Sequence, residues 1–184
     1  MHRVFPNKVG ALAVLLIDAL AKALADYSPS AASLLLTLHY RGSMTATELA
    51  VVVGISQPTA VRVTDRLVRL GLIQRQAHAG RTTPLRLTRA GERRAAGLQR
   101  DRLKAMRRLV NVLDGTERKH FEHAVNKILR DATLSRAFAQ TTCRLCDHSV
   151  CVGQLCPVGS KASALSRQMK SQKLRGRNDY RTRG

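Results

Sequence analysis

Apolar residues recur along this chain mostly at helical spacing, with one short interval of alternation. Leu12, Leu15, Leu16, Ala19, Leu20, Ala23 and Leu24 form a wide stripe that predicts a first helix from Val9 to Ala25, behind a loose arm of residues 1–8. A second helix starts at Ser28 or Ser30 and runs to about Tyr40, offering Ala32, Leu35, Leu36 and Leu38 to a core. Thr45 followed three residues on by Glu48 is a capping-box start, and predicts a short helix to Val53. Gly54 is placed to end it in a left-handed conformation. Ser56 can cap the next helix, Gln57 to Leu70, with Pro58 in its first turn where a missing N–H is harmless. One face of that helix carries Ala60, Val63, Thr64, Leu67 and Leu70; the other carries Gln57, Thr59, Val61, Arg62 and Arg66. After Gly71, Leu72–Arg75 and Pro84–Leu87 read as a hairpin around the polar loop 76–83.

Beyond the hairpin, Arg89 to Leu113 reads as a long helix. Ala96, Leu103 and Val110 repeat every seven residues, as do Gln99, Met106 and Leu113. Asp114 and Glu117 form a second capping pair, opening a helix from Thr116 to about Phe138 that should bury Phe121, Val125, Ile128, Leu129 and Ala132. The whole is mainly α: a helix-turn-helix with a wing, flanked by helices.

Composition sharpens this picture. The 184 residues suffice for one domain with a core, and 44% hydrophobic with 24% charged residues is ordinary. The net charge of +20 is not, and favours a polyanionic partner with salt-dependent binding. Aromatics are only 3%, with no Trp, which argues against single-strand binding by base stacking. At the N-terminus, Ala23-Leu-Ala25 resembles a signal cleavage site, but Asp18 and Lys22 interrupt the apolar run. The run looks too short to span a membrane, so a packing helix is expected and no membrane partner.

A helix of this kind fits the major groove of duplex DNA, and its N-terminal side chains reach base edges. Ser56, Gln57, Pro58, Thr59, Val61, Arg62 and Arg66 are the candidate reading residues. Gln57 could bond adenine, Arg62 or Arg66 guanine or phosphate, and Val61 a thymine methyl. Arg81 in the loop could enter a minor groove or hold phosphate. From Arg81 to Arg108 there are ten Lys/Arg against two acids, so part of the long helix could also flank phosphate.

These residues also carry a family likeness. Ser56-Gln-Pro-Thr-Ala-Val-Arg-Val-Thr-Asp65-Arg66-Leu67, then Gly71-Leu-Ile, then Leu87-Thr88-Arg-Ala-Gly91, resembles the MarR family of bacterial regulators. In that family the wing carries an Asp-Arg-Arg-like run; Ala79-Gly80-Arg81 stands there, so only the last arginine carries over. The resemblance implies a cytoplasmic, symmetric homodimer with interlocked terminal helices, binding a palindromic operator and answering a small-molecule effector. It divides the chain into an N-terminal dimerisation helix (1–27), a winged helix-turn-helix domain (28–90) and C-terminal dimerisation helices (91–140). Repression released by a small molecule, metal or oxidant is the expected output. A largely non-specific architectural DNA protein is the alternative.

Residues 141–158 fall outside that pattern. Cys143, Cys146, Cys151 and Cys156 are separated by two, four and four intervening residues, similar to a zinc knuckle with a cysteine in the usual histidine place; His148 is a spare donor. Zinc, a thiol switch aided by Arg144, an iron–sulfur cluster and a reduced flexible segment all remain open, with iron–sulfur disfavoured by spacing. If the preceding helix belongs to the dimer base, the cluster should lie there too. Residues 159–184, with eight Lys/Arg and one acid, read as a basic disordered tail. No catalytic constellation emerges: Gly54-Ile-Ser56 is no nucleophile elbow, and His120 with His123 lacks the zincin spacing. The chain reads as a binder, not an enzyme.

Overall fold

The structure, a computed structural model, describes residues 4–24, 27–77 and 82–181, with side chains as far as 172. Helices α1 (Val4–Leu24), α2 (Pro29–Arg41), α3 (Ala46–Val53) and α4 (Gln57–Arg69) precede strands β1 (Ile73–Arg75) and β2 (Leu85–Leu87). Then follow α5 (Arg89–Val110), α6 (Gly115–Ala132), α7 (Arg136–Thr142), a 3-10 turn (Gly153–Leu155) and α8 (Pro157–Arg181). β1 and β2 pair antiparallel, with Ile73 opposite Leu87 and Arg75 opposite Leu85, and Met44 adds an isolated antiparallel bridge to Leu85.

Local chemistry explains the starts and stops. Ser28 accepts from the Ala31 amide and Ser56 from the Thr59 amide. Thr45 and Glu48 form the full reciprocal box, as do Asp114 and Glu117. Gly54 closes α3 at φ 75, ψ 42, a left-handed conformation that costs glycine least. Gly91 is needed for a different reason: a Cβ there would stand 2.0 Å from the Leu72 carbonyl oxygen, so α5 can lie on the β1 turn only without one.

Helix α2 is the centre of the lobe. Every residue from Ala31 to Leu38 is buried, a continuous run rather than a stripe, as befits a helix covered on all sides. Leu34, Leu35, Leu36 and Leu38 meet Leu24, Leu49, Val53, Leu67, Ile73, Leu85 and Leu98 in one core. Each fully buried leucine contributes about 1.5–3 kcal/mol. Ser33 is tolerated inside because its hydroxyl donates to the Pro29 carbonyl at 2.7 Å.

Several expectations are corrected. Residues 4–8 are not a loose arm but the first turn of α1. At 21 residues and mean hydropathy 1.6, α1 is the one described helix long and apolar enough to cross a membrane, not too short to do so. It packs along α5 instead, with Leu24 in the core. α5 stops at Val110, and its buried positions are Gly91, Ala95, Leu98 and Gln99, of which only Gln99 belongs to the seven-residue repeat. α6 ends at Ala132 and buries no residue within this chain: Phe121 and Ile128 are exposed, and Val125 and Leu129 only half-buried. The supposed disordered tail is helical as α8. Val158, Ala162 and Leu165 at helical spacing give it a narrow apolar stripe, and Val158 and Ala162 bury against Ala139 and Cys156 in a second small core.

Candidate nucleic-acid interface

The candidate reading face sits on α4. Ala60, Thr64 and Leu67 are buried, so the helix is anchored on one side and its opposite side is turned outward. On that outer side Ser56, Gln57, Pro58, Val61, Arg62 and Arg66 are exposed, and Thr59 is half-buried. The structure thus brings seven of the eight predicted residues onto one surface; Arg81 lies outside the described residues. Leu70, assigned to the apolar face, is 54% exposed because α4 ends one residue before it.

The N-terminal turn of α4 is internally organised. Ser56 Oγ and Thr59 Oγ1 share a hydrogen bond of 2.8 Å, and Arg62 Nη2 donates to Thr59 Oγ1 at 3.4 Å. Gln57 Nε2 donates to Thr47 Oγ1 of α3 at 3.1 Å, so the amide is held against the preceding helix and must leave Thr47 to reach a base. At the start of α3, Thr45 holds the Glu48 carboxyl below the usual glutamate range through its backbone and side-chain hydrogen bonds.

The wing is braced by groups that sequence reasoning missed. Arg75 Nη2 of β1 donates to Asp65 Oδ1 of α4 at 2.6 Å, tying the wing to the reading helix. The Gln76 amide donates to the Pro84 carbonyl at 2.8 Å, and Ser43 Oγ donates to the Gln76 side chain. The strand base of the wing is therefore braced from α4. Arg86 was missed too: it lies between buried Leu85 and Leu87, so strand alternation turns it outward, into a shallow cleft with Ser43, Gln76 and Glu92. That alternation was the available signal.

The cysteine segment docks in an unexpected place. It leans on the winged lobe. Thr141, at the end of α7, reaches the turn between α3 and α4: a Cβ on Gly54 would stand 2.6 Å from Thr141 Cγ2. Leu145 packs against the main core. With its amide oriented to satisfy both neighbours, buried Gln99 donates to the Leu145 carbonyl at 3.3 Å and accepts from the Asp147 amide at 3.1 Å. Asp147 also accepts from the Tyr40 hydroxyl; burial first, then this carboxylate, pushes Tyr40 up to about 12. The His148 ring meets Tyr40 edge-on at 5.7 Å, and burial lowers its pKa, with Arg41 adding to the effect.

All four cysteines are free thiols. They stand in two hydrogen-bonded pairs, Cys143 with Cys146 and Cys151 with Cys156. Sharing that bond raises Cys143 and draws Cys146 down to about 7, helped by Arg102, while burial lifts Cys151 to about 12. Among the described residues no group of three or more His, Cys, Asp or Glu side chains is placed to hold a metal ion.

Known proteins give this arrangement a context. A sequence model of the MarR family matches residues 27–80. No curated protein matches the chain by sequence. Among solved structures, YusO from Bacillus subtilis superposes with a TM-score of 0.63 at 21% identity, over 70% of this chain and 94% of its own. RV1404 from Mycobacterium tuberculosis gives 0.64 at 22%, over 72% and 94%. MepR, a transcription regulator of the Staphylococcus aureus multidrug efflux pump MepA, gives 0.61 at 19%, over 71% and 98%. Each neighbour is almost wholly accounted for, while part of this chain has no counterpart in it. The segment that matches the MarR family model falls on α2, α3, α4 and β1, and the winged helix-turn-helix fold around it is similar to that of these solved structures.

Proposed function

We propose that this protein is a transcriptional regulator that binds double-stranded DNA as a homodimer at a palindromic operator. The observation that carries the reading is the outward face of α4, where Gln57, Val61, Arg62 and Arg66 lie on a helix whose other side is locked into the core. Such a helix can enter a major groove without unfolding anything. Arg86 on the wing and the net charge of +20 support phosphate contact.

A second copy supplies what one chain lacks. One short helix contacts too few base pairs to define an operator, whereas two reading helices about 34 Å apart would meet successive major grooves on one side of the duplex. The apolar residues left outside on α1 and α6 are the natural surface for that copy. The protein would act in the cytoplasm, as a repressor released by a small molecule or by a signal at the cysteine segment. A cleft of about 410 Å³ between α1 and α5, with Lys22, Asp101, Lys104 and Arg108 on its walls, has room for such a molecule. Release would require that the signal favour one spacing of the two lobes over another.

Binding to the preferred operator and to random duplex, compared at physiological salt, tests the reading. Arg62→Ala and Gln57→Ala should each lose about 1–3 kcal/mol of discrimination. Arg86→Ala should weaken all sequences alike and flatten the salt dependence. A specificity ratio near one for the native chain would instead favour an architectural DNA protein held by charge alone.

A further inference from the structure

The segment from Cys143 to Cys156 has shape without a core. Apart from one 3-10 turn it consists of turns and bends, and Cys156 is its only buried residue. Val150, Val152 and Leu155 are 64, 50 and 78% exposed, so beyond Leu145 and the cysteines themselves burial of apolar surface holds little of it. Long irregular stretches in a folded domain are uncommon without some other tie. Here the chain nevertheless closes on itself at the cysteines. The Cys146 amide donates to the Cys143 carbonyl at 2.9 Å, the Cys151 amide to the Asp147 carbonyl at 2.9 Å, and the Cys156 amide to the Gly153 carbonyl at 3.3 Å. The Gly159 amide, at the start of α8, donates to Cys156 Sγ at 3.1 Å, a bond that strengthens as sulfur gains charge.

Cys143, Cys151 and Cys156 face one cleft of about 490 Å³ and pack together beside α8, and the Cys146 amide bonded to the Cys143 carbonyl keeps Cys146 in the same turn. Arg41, Arg136 and Arg167 also line it, and no carboxylate does. Cations at the walls favour thiolates, and an all-sulfur donor set suits a soft or borderline metal and excludes magnesium or calcium.

We propose that Cys143, Cys146, Cys151 and Cys156 together bind one zinc ion, which fixes α7 against the turn of the helix-turn-helix. Each thiol releases its proton to solvent on binding, and the two surplus negative charges of the zinc tetrathiolate face the arginines of the cleft. The two thiol pairs must draw together to do so. Gly153, at φ 55, sets the turn that brings Cys156 back beside Cys151. Tension then reaches the reading head by a short route: Cys143 ends α7, and Thr141 two residues earlier sits on Gly54. The proposal is independent of whether α4 reads DNA.

Elemental analysis of the full chain as purified tests it, alongside labile sulfide and disulfide determination. The expected result is about one zinc per chain, lost in a Cys151→Ser, Cys156→Ser double variant. Cobalt added to chelated native protein should give sulfur-to-metal charge-transfer absorption and a tetrahedral ligand-field band. Iron with labile sulfide, paired disulfides, or reduced protein that takes up neither zinc nor cobalt would overturn the assignment. Amide hydrogen exchange follows the coupling: chelation should raise exchange at Gly54–Ser56. Loss of zinc with unchanged exchange there would overturn the link to α7.

Discussion

Gly54 meets two demands at once. Its left-handed backbone disfavours any side chain, and Thr141 occupies the space where a Cβ would go. Gly54→Ala should therefore cost more than the roughly 1–2 kcal/mol that the conformation alone explains. Adding Thr141→Ser, which removes Cγ2, should recover the steric part and leave the conformational part, as urea denaturation of the double variant will show. The first demand was readable, since a glycine after a capped apolar helix marks a stop. The second was not, because nothing in the sequence says that residue 141 returns to residue 54. Glu48 supports a pH prediction. Its folded-state pKa lies below the ordinary 4.5, so its contribution is present above that value and is lost as pH falls through the lower folded-state one. Glu48→Gln should flatten this acid limb of the stability curve and leave neutral pH behaviour much less changed.

At the scale of elements, caps and periodicity were legible and mutual packing was not. Ser28, Thr45, Ser56 and Asp114 all cap the helices they were expected to cap. The seven-residue repeat in α5 misled because Gln99, a polar interruption in it, is buried as the docking point for Leu145 and Asp147. α8 was hidden by averaging: a basic composition concealed three apolar positions on one face. The wing shows the same limit, since Asp65 and Arg75 are ten residues apart and meet only through the β1 turn. Both groups are about half exposed, so the pair should contribute no more than about 1 kcal/mol to folding. Arg75→Ala should accordingly leave the unfolding midpoint nearly unchanged while weakening DNA binding through a looser wing. Equal losses in both measurements would mean that the pair is structural only.

On the scale of the whole molecule, α1 and α6 leave Val14, Leu15, Ile17 and Ile128 more than half exposed. In the proposed dimer these are the apolar side chains that a second copy would cover. Ile17→Asp should shift sedimentation toward the single chain and lower operator affinity, with the lobe's own core intact because Ile17 is outside it. The expectation of terminal helices with spare apolar faces came from the sequence; that the cysteine segment folds back onto the lobe did not.

That return of the chain has a bearing on biosynthesis. Leu145 completes a core whose other members lie between Leu20 and Leu98. A nascent chain emerging from the ribosome can assemble α2, α3, α4 and the wing, yet their surface around Gly54 and Gln99 stays uncovered until some forty further residues have appeared. The reading head of this protein is thus finished late, by a piece of chain translated well after the helices that it completes.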